Sequence, residues 1–239
     1  MNQNSREFCL EVWGDYACFT RPELKVERVS YDVITPSAAR MIFSGIFWKP
    51  AIRWEVTKIE VLNPIRWASI KRNEVGGLLS KNPIYCDDPS RRIQRNTLLL
   101  KNVRYRIYAN QIFIPLQERK HDEKLIAIKS AQKKDYEALG KLVWDETPLK
   151  YQQIFINRAR KGQFKMPPYL GQREFALYFR LVSPDEERMR QPIHETRDLG
   201  IMVYDRDYTK PNAPAMFFHA RMENGVIIVP PVNSKEVLK

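Results

Sequence analysis

Cationic and aromatic side chains gather where one expected helix gives way to a strand. Trp48 and Lys49 lie at the turn between them, and Arg53 follows near the start of the strand. Phosphates attract positive charge and unpaired bases stack on ring faces, so this combination is typical of RNA binding. The sequence therefore predicts a nucleic-acid surface at this corner.

Further cations follow in segments that we expect to share this surface. Arginines on loops held by a rigid scaffold are common binding residues. The additional candidates for contact with the RNA backbone are Arg66, Arg72, Arg91, Arg92, Arg95, Arg158 and Lys161.

Composition agrees with a polyanionic partner. Lys and Arg number 40 against 28 acidic residues, which gives a net charge of +12. Such an imbalance favours nucleic acid, although an ordinary basic protein has the same property. The chain has 239 residues and 44% hydrophobic content, enough for a large core. The sequence therefore indicates a globular, nucleic-acid-binding protein.

Cysteine and histidine usage argues against a metal site, and we expect no cofactor. Cys9, Cys18 and Cys86 are too scattered for a disulfide framework or a zinc site. His194 and His219 are interpreted as surface or structural residues. We see no signal peptide and no apolar run long enough for a bilayer, so we expect a cytoplasmic protein with no membrane partner.

A helix and a strand position the first corner. Thr35 is expected to cap the helix and Pro36 to be its first residue. Its apolar stripe is Ala38, Met41, Ile42, Gly45 and Ile46. A strand with one buried face follows from Ile52, with a bulge expected near residues 57–58.

The remaining elements complete an α+β pattern. We expect strands at residues 8–14, 98–114, 175–181, 199–204, 215–222 and 226–229 and a helix at 150–161. A basic segment follows Pro64, and a long loop is expected over residues 76–96. On the helix, Ile154 and Phe155 should face inward and Arg158 outward, with Gly162 as its cap. Asn224-Gly225 predicts a type I′ hairpin turn, and 184–197 a charged linker.

This order predicts two units. Residues 1–182 are expected to form a ferredoxin-like (RRM-like) domain with a helical insertion at about 117–146. Residues 183–239 are expected to form a small C-terminal antiparallel β-sheet portion.

Several stretches, in order along the chain, resemble one family. They are residues 12–17, 19–20, 30–33, 47–50, 63–67, 72–75, 94–100, 161–163, 168–175, 199–205 and 222–226. The sequence is similar to the CRISPR-associated proteins of the fifth Cas family, in the type I-C (Dvulg) variant of the repeat-associated mysterious protein (RAMP) superfamily. Only residues 117–146 look additional.

The resemblance implies a function. Such proteins cut the base of the CRISPR repeat hairpin in pre-crRNA without a metal, then stay on the 5′ handle of the crRNA. The expected partners are therefore the repeat RNA and the backbone and large subunits of a type I-C Cascade complex.

The family's usual catalytic residues are a Tyr in a Tyr-Trp-Lys-Pro stretch and an adjacent Lys-His pair. Here the Tyr position carries Phe47, which has no hydroxyl. The pair aligns with Lys150 and Tyr151, our preferred assignment, although Lys120 and His121 form a literal Lys-His pair. An ordinary tyrosine, with a pKa of about 10, is a poor base at neutral pH. A non-catalytic scaffold that binds the crRNA handle, and a generic ferredoxin-like RNA-binding domain, are the alternative hypotheses.

Overall fold

One ten-stranded sheet carries most of the secondary structure in the computed structural model. The structure describes residues 5–77, 85, 88–115, 118–119, 147–187 and 190–239. Its strands are β1 (Ser5–Ala17), β2 (Arg28–Val29), β3 (Ile52–Val61), β4 (Trp67–Val75), β5 (Arg92–Phe113), β6 (Tyr178–Val182), β7 (Arg197–Arg206), β8 (Ala215–Glu223), β9 (Val226–Ile228) and β10 (Val237–Leu238). The helices are α1 (Pro36–Ile46), α2 (Pro148–Arg160) and the short α3 (Pro184–Glu187). The expected α+β class is confirmed.

Four antiparallel strands, in the order β3-β5-β1-β6, form the part of the sheet that carries the helices. Both helices pack on one face of these strands through aromatic side chains. The ring of Phe155 on α2 lies 4.9 Å from Phe8, 4.6 Å from Trp54 and 5.8 Å from Phe43 on α1, measured between centroids. This shared core fixes α1 and α2 side by side.

The start of α1 follows the expected capping chemistry. The Thr35 side chain accepts a hydrogen bond from the Ala38 amide, and Pro36 opens the helix. The predicted apolar stripe is wrong at one position, because Met41 is exposed. The buried face instead runs through Ala39, Ile42, Phe43 and Ile46, which repeat every three or four residues and so lie on one side of the helix.

Two local predictions on the strands are confirmed. The register of β3 against β5 shifts between Val56 and Lys58, where the bulge was expected. Asn224 and Gly225 both have positive φ, at 48° and 75°, as a type I′ turn requires. Through this hairpin β9 pairs with β3, so the last strands extend the same sheet.

Several boundaries differ from the prediction. The loop expected over residues 76–96 is wrong at its end, because residues 92–96 belong to β5. The basic segment after Pro64 forms β4, which pairs along its whole length with residues 92–100. The strand expected from residue 175 begins at Tyr178, and the linker after residue 183 contains α3. The helical insertion expected at 117–146 lies outside the described residues, apart from residues 118–119.

The C-terminal strands also contact α1. Arg40 on the helix forms an ion pair with Asp205 at the end of β7. Tyr204 and Phe218, from β7 and β8, belong to the same apolar cluster as Phe43. Within the described residues no helix is long and apolar enough to cross a bilayer.

Candidate nucleic-acid interface

The rings of Phe47, Tyr151 and Phe113 stack where α1 ends and α2 begins, and Trp48 follows Phe47 at the surface. We name these four residues the aromatic corner. The Tyr151 centroid lies 6.2 Å from that of Phe47 and 5.9 Å from that of Phe113, with ring planes inclined by 28° and 30°. Phe47 and Tyr151 are buried, whereas Trp48 is 45% exposed. The corner is therefore a packed stack beside one ring that can receive a base.

Two backbone contacts hold this corner. The Trp54 indole N–H donates to the carbonyl of Phe47 over 2.9 Å. Arg158 on α2 donates to the carbonyl of Ile46 over 3.3 Å, at the C-terminal end of α1 where free carbonyls attract cations. These contacts fix the Phe47 backbone between the two helices.

Cations lie directly on the rings of the corner. The guanidinium carbon of Arg158 is 5.2 Å from the Phe47 centroid, and Lys165 Nζ is 5.9 Å from the Trp48 centroid. No carboxylate of the described residues forms a salt bridge with either cation, so no described acidic side chain neutralises their charge. The prediction that Arg158 points outward is wrong, since it is half-buried against Phe47.

The first turn of α2 adds an anion-binding element to the corner. The Thr147 hydroxyl accepts the Lys150 amide over 3.4 Å and caps the helix. Lys150 is half-buried in this turn, directly before Tyr151. Unpaired amides and the helix dipole favour a negative group at a helix N-terminus. Lys150 therefore belongs to a helix end that favours a negative group.

Sequence reasoning missed Lys165, which a close backbone approach brings to the corner. The amides of Lys165 and Met166 donate to the carbonyl of Gly45 over 2.8 and 3.1 Å. A Cβ atom at Gly45 would lie 3.2 Å from the carbonyl oxygen of Met166, so glycine lets this loop approach α1. No local spacing signals this contact, because it joins distant parts of the chain.

Phe113 and Arg119 were also missed. Arg119 is buried, with its guanidinium carbon 6.0 Å from the Phe113 centroid. Its Nε donates to the carbonyl of Ile114 over 3.0 Å. Arg119 therefore packs against the aromatic corner.

A second basic region is the ribbon formed by β4 and residues 92–100 of β5, which we name the basic ribbon. Two of its arginines, Arg72 and Arg95, form ion pairs inside the protein. Glu74 Oε1 lies 3.2 Å from Arg28 and 3.4 Å from Arg72, and Glu74 Oε2 lies 3.3 Å from Arg95. Arg72 also pairs with Glu174. Arg72 thus attaches the ribbon to the body of the molecule through Glu174, whereas Arg95 pairs within the ribbon.

The other candidate residues are divided between these regions and the sheet. Lys49 and Lys161 are exposed near the corner and at the end of α2, and Arg66, Arg91 and Arg92 are exposed on or beside the basic ribbon. Arg53 is exposed on β3, in a cavity of about 450 Å³ shared with Tyr204. Lys120 and His121 lie outside the described residues. Among the described residues, no group of three or more His, Cys, Asp or Glu side chains could hold a metal ion.

Comparison with known families decides which family this is. Residues 8–230 match the model of the Cas5d family, whose members are described as CRISPR-associated protein (Cas_Cas5). The chain belongs to this family. Its match to the family spans both the aromatic corner and the basic ribbon.

Curated relatives of the Cas5d family match nearly the whole chain. A protein of Mannheimia succiniciproducens named CRISPR pre-crRNA endoribonuclease Cas5d is 41% identical over 243 aligned positions, which cover 95% of this chain and 96% of the relative. A protein of the same name from Thermus thermophilus is 36% identical over 248 positions, with 96% and 94% covered.

Solved structures share the fold. One titled as the crystal structure of a CRISPR-associated protein superimposes with a TM-score of 0.67 at 23% identity, covering 100% of both chains. The functionally uncharacterised protein SMU1763c of Streptococcus mutans superimposes with a TM-score of 0.66 at 25% identity, again over 100% of both chains. The fold shared with these two structures therefore extends over the full length of the chain.

Proposed function

We propose that this chain is a CRISPR pre-crRNA endoribonuclease that cuts the repeat hairpin and then remains on the 5′ handle of the crRNA. The observation that carries the proposal is its identity of 41% and 36% to two relatives of that name over nearly their whole length. The net charge of +12 and the cations on the rings of the aromatic corner fit an RNA substrate.

The proposal includes the finer fold assignment. The order β6-β1-β5-β3, with α1 and α2 on one face, supports a ferredoxin-like domain of the RAMP type. We assign it to residues 1–182, with 183–239 as the C-terminal β portion. Limited proteolysis that releases a stable fragment ending near residue 182 would support this division.

The proposed reaction is an internal transesterification. A ribose 2′-oxygen attacks the adjacent phosphorus, the bond from phosphorus to the 5′-oxygen breaks, and a 2′,3′-cyclic phosphate forms. One group must remove the 2′ proton, a cation must stabilise the phosphorane, and the 5′-oxygen must gain a proton. None of these steps requires a metal when the protein supplies the charges.

The aromatic corner supports roles for its own residues. Lys150, at the N-terminus of α2, would stabilise the phosphorane, and Trp48 would stack on a base next to the scissile bond. Contact between the Phe47 and Tyr151 rings supports a common site, because the resemblance assigns catalytic roles to both positions. Phe47 itself supplies packing only, since it has no hydroxyl.

The pair Lys120-His121 remains the second assignment. Arg119, the residue before Lys120, is anchored against Phe113 of the same corner. Histidine is the better proton acceptor, because its ordinary pKa of about 6.5 lies near neutrality. In this arrangement His121 would remove the 2′ proton, and Tyr151 would serve only as part of the ring stack.

The decisive experiment is incubation of the full-length protein with its cognate repeat RNA in EDTA. We expect cleavage at the hairpin base, with a 5′-hydroxyl on one product and a cyclic phosphate on the other. A matched RNA with a 2′-deoxyribose before the scissile phosphate should stay intact. Uncleaved natural RNA at micromolar protein would reject the endoribonuclease, whereas cleavage of the deoxy substrate would reject the 2′-hydroxyl mechanism.

A non-catalytic scaffold is the second candidate function. Phe47 lacks the hydroxyl that the family position normally supplies, and Tyr151 is only 7% exposed. Tight binding of the repeat RNA without cleavage would favour it. Equal affinity for the repeat and for a scrambled hairpin would instead favour a generic RNA-binding domain.

The proposal also covers assembly and location. The family resemblance supports a place in a type I-C Cascade complex, in contact with its backbone and large subunits and in the cytoplasm. Co-purification of this chain with those subunits and crRNA from the native cell would test it. Recovery of the chain alone, with processed crRNA, would limit the proposal to the cleavage step.

A further inference from the structure

The basic ribbon has two faces, and the ion pairs of Glu74 lie on only one of them. Arg72 and Arg95 are directly opposite each other in the register of β4 and β5, on the same face as Glu74. The intervening residues lie on the other face, because side chains alternate along a strand. We name this other face, formed by alternate residues of 69–75 and 92–98, the outer face. Its centre holds two cross-strand pairs, Lys71 with Asn96 and Asn73 with Gln94.

Three carboxamide groups stand on the outer face with their polar atoms open to solvent. Asn73, Gln94 and Asn96 are exposed, and their side chains form no hydrogen bond within the part of the chain that the structure describes. Opposite residues on one face of an antiparallel pair have Cβ atoms about 4.5–5.5 Å apart, and successive rows are about 7 Å apart. The outer face therefore offers several N–H donors and carbonyl acceptors within a small area.

Local structure does not account for the two asparagines of the outer face. Asparagine is depleted in β-strands, where β-branched and aromatic residues fit the pleated surface better. Asn73 and Asn96 lie within regularly paired strand, and not in a turn where an asparagine side chain bonds to the backbone. Their presence on one exposed face therefore indicates a binding role.

The charge of the outer face is positive. Lys71 and Arg92 lie on it, and none of its residues is acidic. No carboxylate of the described residues forms a salt bridge with Lys71. Arg66 and Lys101 add exposed positive charge at the base of the ribbon, where the Lys101 amide donates to the carbonyl of Arg66 over 2.9 Å. The outer face is therefore complementary to a polyanion.

The residue types of the outer face fit a paired RNA better than a single strand or a protein. The face holds no aromatic ring on which an unpaired base could stack. It also lacks the Trp, Tyr or Met that commonly anchors the centre of a protein interface, since its apolar residues, Val75 and Leu98, lie at opposite ends. A paired RNA stem presents base edges and 2′-hydroxyls in a wide, shallow minor groove, and a carboxamide can donate to and accept from both.

We propose that the outer face lies in the minor groove of the repeat hairpin stem, where its three carboxamides hydrogen-bond to base edges and 2′-hydroxyls and Lys71 contacts a phosphate. The inference rests on the proposed function in taking the repeat RNA as the ligand. It goes beyond that function, because it assigns recognition of the paired stem to the ribbon and leaves cleavage to the aromatic corner.

The test measures binding of the cognate repeat hairpin to full-length variants by fluorescence anisotropy. A fluorescein label and a 2′-deoxyribose before the scissile phosphate give a probe that is not cut. The double variant Asn73→Ala with Gln94→Ala should weaken binding about tenfold or more, which corresponds to about 1.4 kcal/mol. The exchanged variant Asn73→Gln with Gln94→Asn keeps both carboxamides on the outer face and should stay within about threefold of the natural protein.

Asn233→Ala is the matched control. Asn233 is also exposed, and its side chain forms no hydrogen bond with a described residue, but it lies away from the ribbon, in the cavity shared by Arg53 and Tyr204. It should bind the hairpin like the natural protein. Equal loss in Asn233→Ala and the double variant would overturn the proposal. No loss in either would also overturn it and leave the outer face as a surface for a protein partner.

Two further probes separate paired RNA from other polyanions. Octauridine has no stem, and a DNA hairpin of the same sequence has no 2′-hydroxyls. The double variant should bind both probes like the natural protein. A similar tenfold loss on either probe would show that the substitutions act through folding or without regard to paired RNA, which overturns the proposal.

Salt dependence separates Lys71 from the carboxamides. Lys71→Ala should reduce the slope of log K against log salt by about one unit, because a phosphate contact releases a counterion. The double variant should keep the natural slope, since a carboxamide carries no charge. A reduced slope in the double variant would mean that the carboxamide substitutions disturb phosphate contacts, and would overturn their assignment to base edges and 2′-hydroxyls.

Cleavage distinguishes this inference from the proposed function. At saturating protein the double variant should cut the hairpin at the natural rate, because its aromatic corner is unchanged. Hairpin binding through the carboxamides by a protein that leaves the natural hairpin intact would reject the endoribonuclease and keep the role of the outer face. Natural cleavage together with natural hairpin affinity in the double variant would reject the role of the outer face alone.

Discussion

The aromatic corner and the basic ribbon hold similar side chains in different electrostatic states. At the corner, Arg158 and Lys165 lie on ring faces and form no salt bridge with a described carboxylate. In the ribbon, Arg72 and Arg95 share Glu74. The difference teaches that a count of arginines does not locate a binding site, because an ion-paired cation must lose its partner before it can bind a phosphate. The corner is therefore the better candidate for the cleavage site.

Removing a buried ring from the aromatic corner should have the largest effect of the four changes, and it should act on the free energy of unfolding. Phe47→Ala deletes a side chain that is 1% exposed, and such truncations lower the free energy of unfolding by about 3–5 kcal/mol. Urea denaturation followed by circular dichroism would measure the change. Phe164→Ala, at a ring that is 48% exposed, is the control and should change stability much less. An equal loss in both variants would mean that the corner is not a packed unit.

Removing the cation at the start of α2 should affect catalysis rather than folding. Lys150→Ala should slow single-turnover cleavage of the repeat hairpin at least about 100-fold, as loss of a group that stabilises transition-state charge does. Lys235→Ala, an exposed lysine near the C-terminus, should leave the rate unchanged. If Lys150→Ala cleaves at the natural rate and His121→Ala loses cleavage, catalysis belongs to the pair Lys120-His121 instead.

Glu74→Gln should give the basic ribbon cations without a paired carboxylate, as at the aromatic corner. Its charge is shared by Arg28, Arg72 and Arg95, so the substitution releases positive charge towards solvent. We expect repeat RNA to bind severalfold tighter, while stability falls by about 1 kcal/mol, since partly exposed ion pairs contribute little. Glu223→Gln is the control, because its carboxylate pairs with exposed Arg221 and with no other side chain in the part of the chain that the structure describes. Weaker RNA binding by Glu74→Gln would contradict the idea that Glu74 withholds charge from RNA.

The smallest effect is expected in the salt dependence of binding. A cation that contacts phosphate contributes about one unit to the slope of log K against log salt. Lys165→Ala should therefore reduce the slope by about one unit and Arg72→Ala by clearly less. Titrations of repeat RNA at several potassium chloride concentrations would measure both slopes. A larger change for Arg72 than for Lys165 would reverse the ranking of the two regions.

Local chemistry explains why parts of the fold could be predicted. The cap at Thr35, the turn at Asn224-Gly225 and the bulge near residue 57 each depend on neighbouring residues, and all three are confirmed. The first half of β5 was missed because its residues 92–97 are mostly polar and become a strand only by pairing with β4. Strand pairing between segments that the chain separates leaves little local signal.

In the candidate site, too, some features could be predicted from the sequence and others could not. Charge, composition and the ordered stretches shared with the Cas5d family were readable from the sequence alone, because each is a property of residue identity. The contact of Phe47 with Tyr151 and the ion pairs of Arg72 with Glu174 and of Arg95 with Glu74 depend on which separate segments meet. Only tertiary packing decides such contacts, since it determines which cations remain free to bind RNA and which ring faces remain exposed.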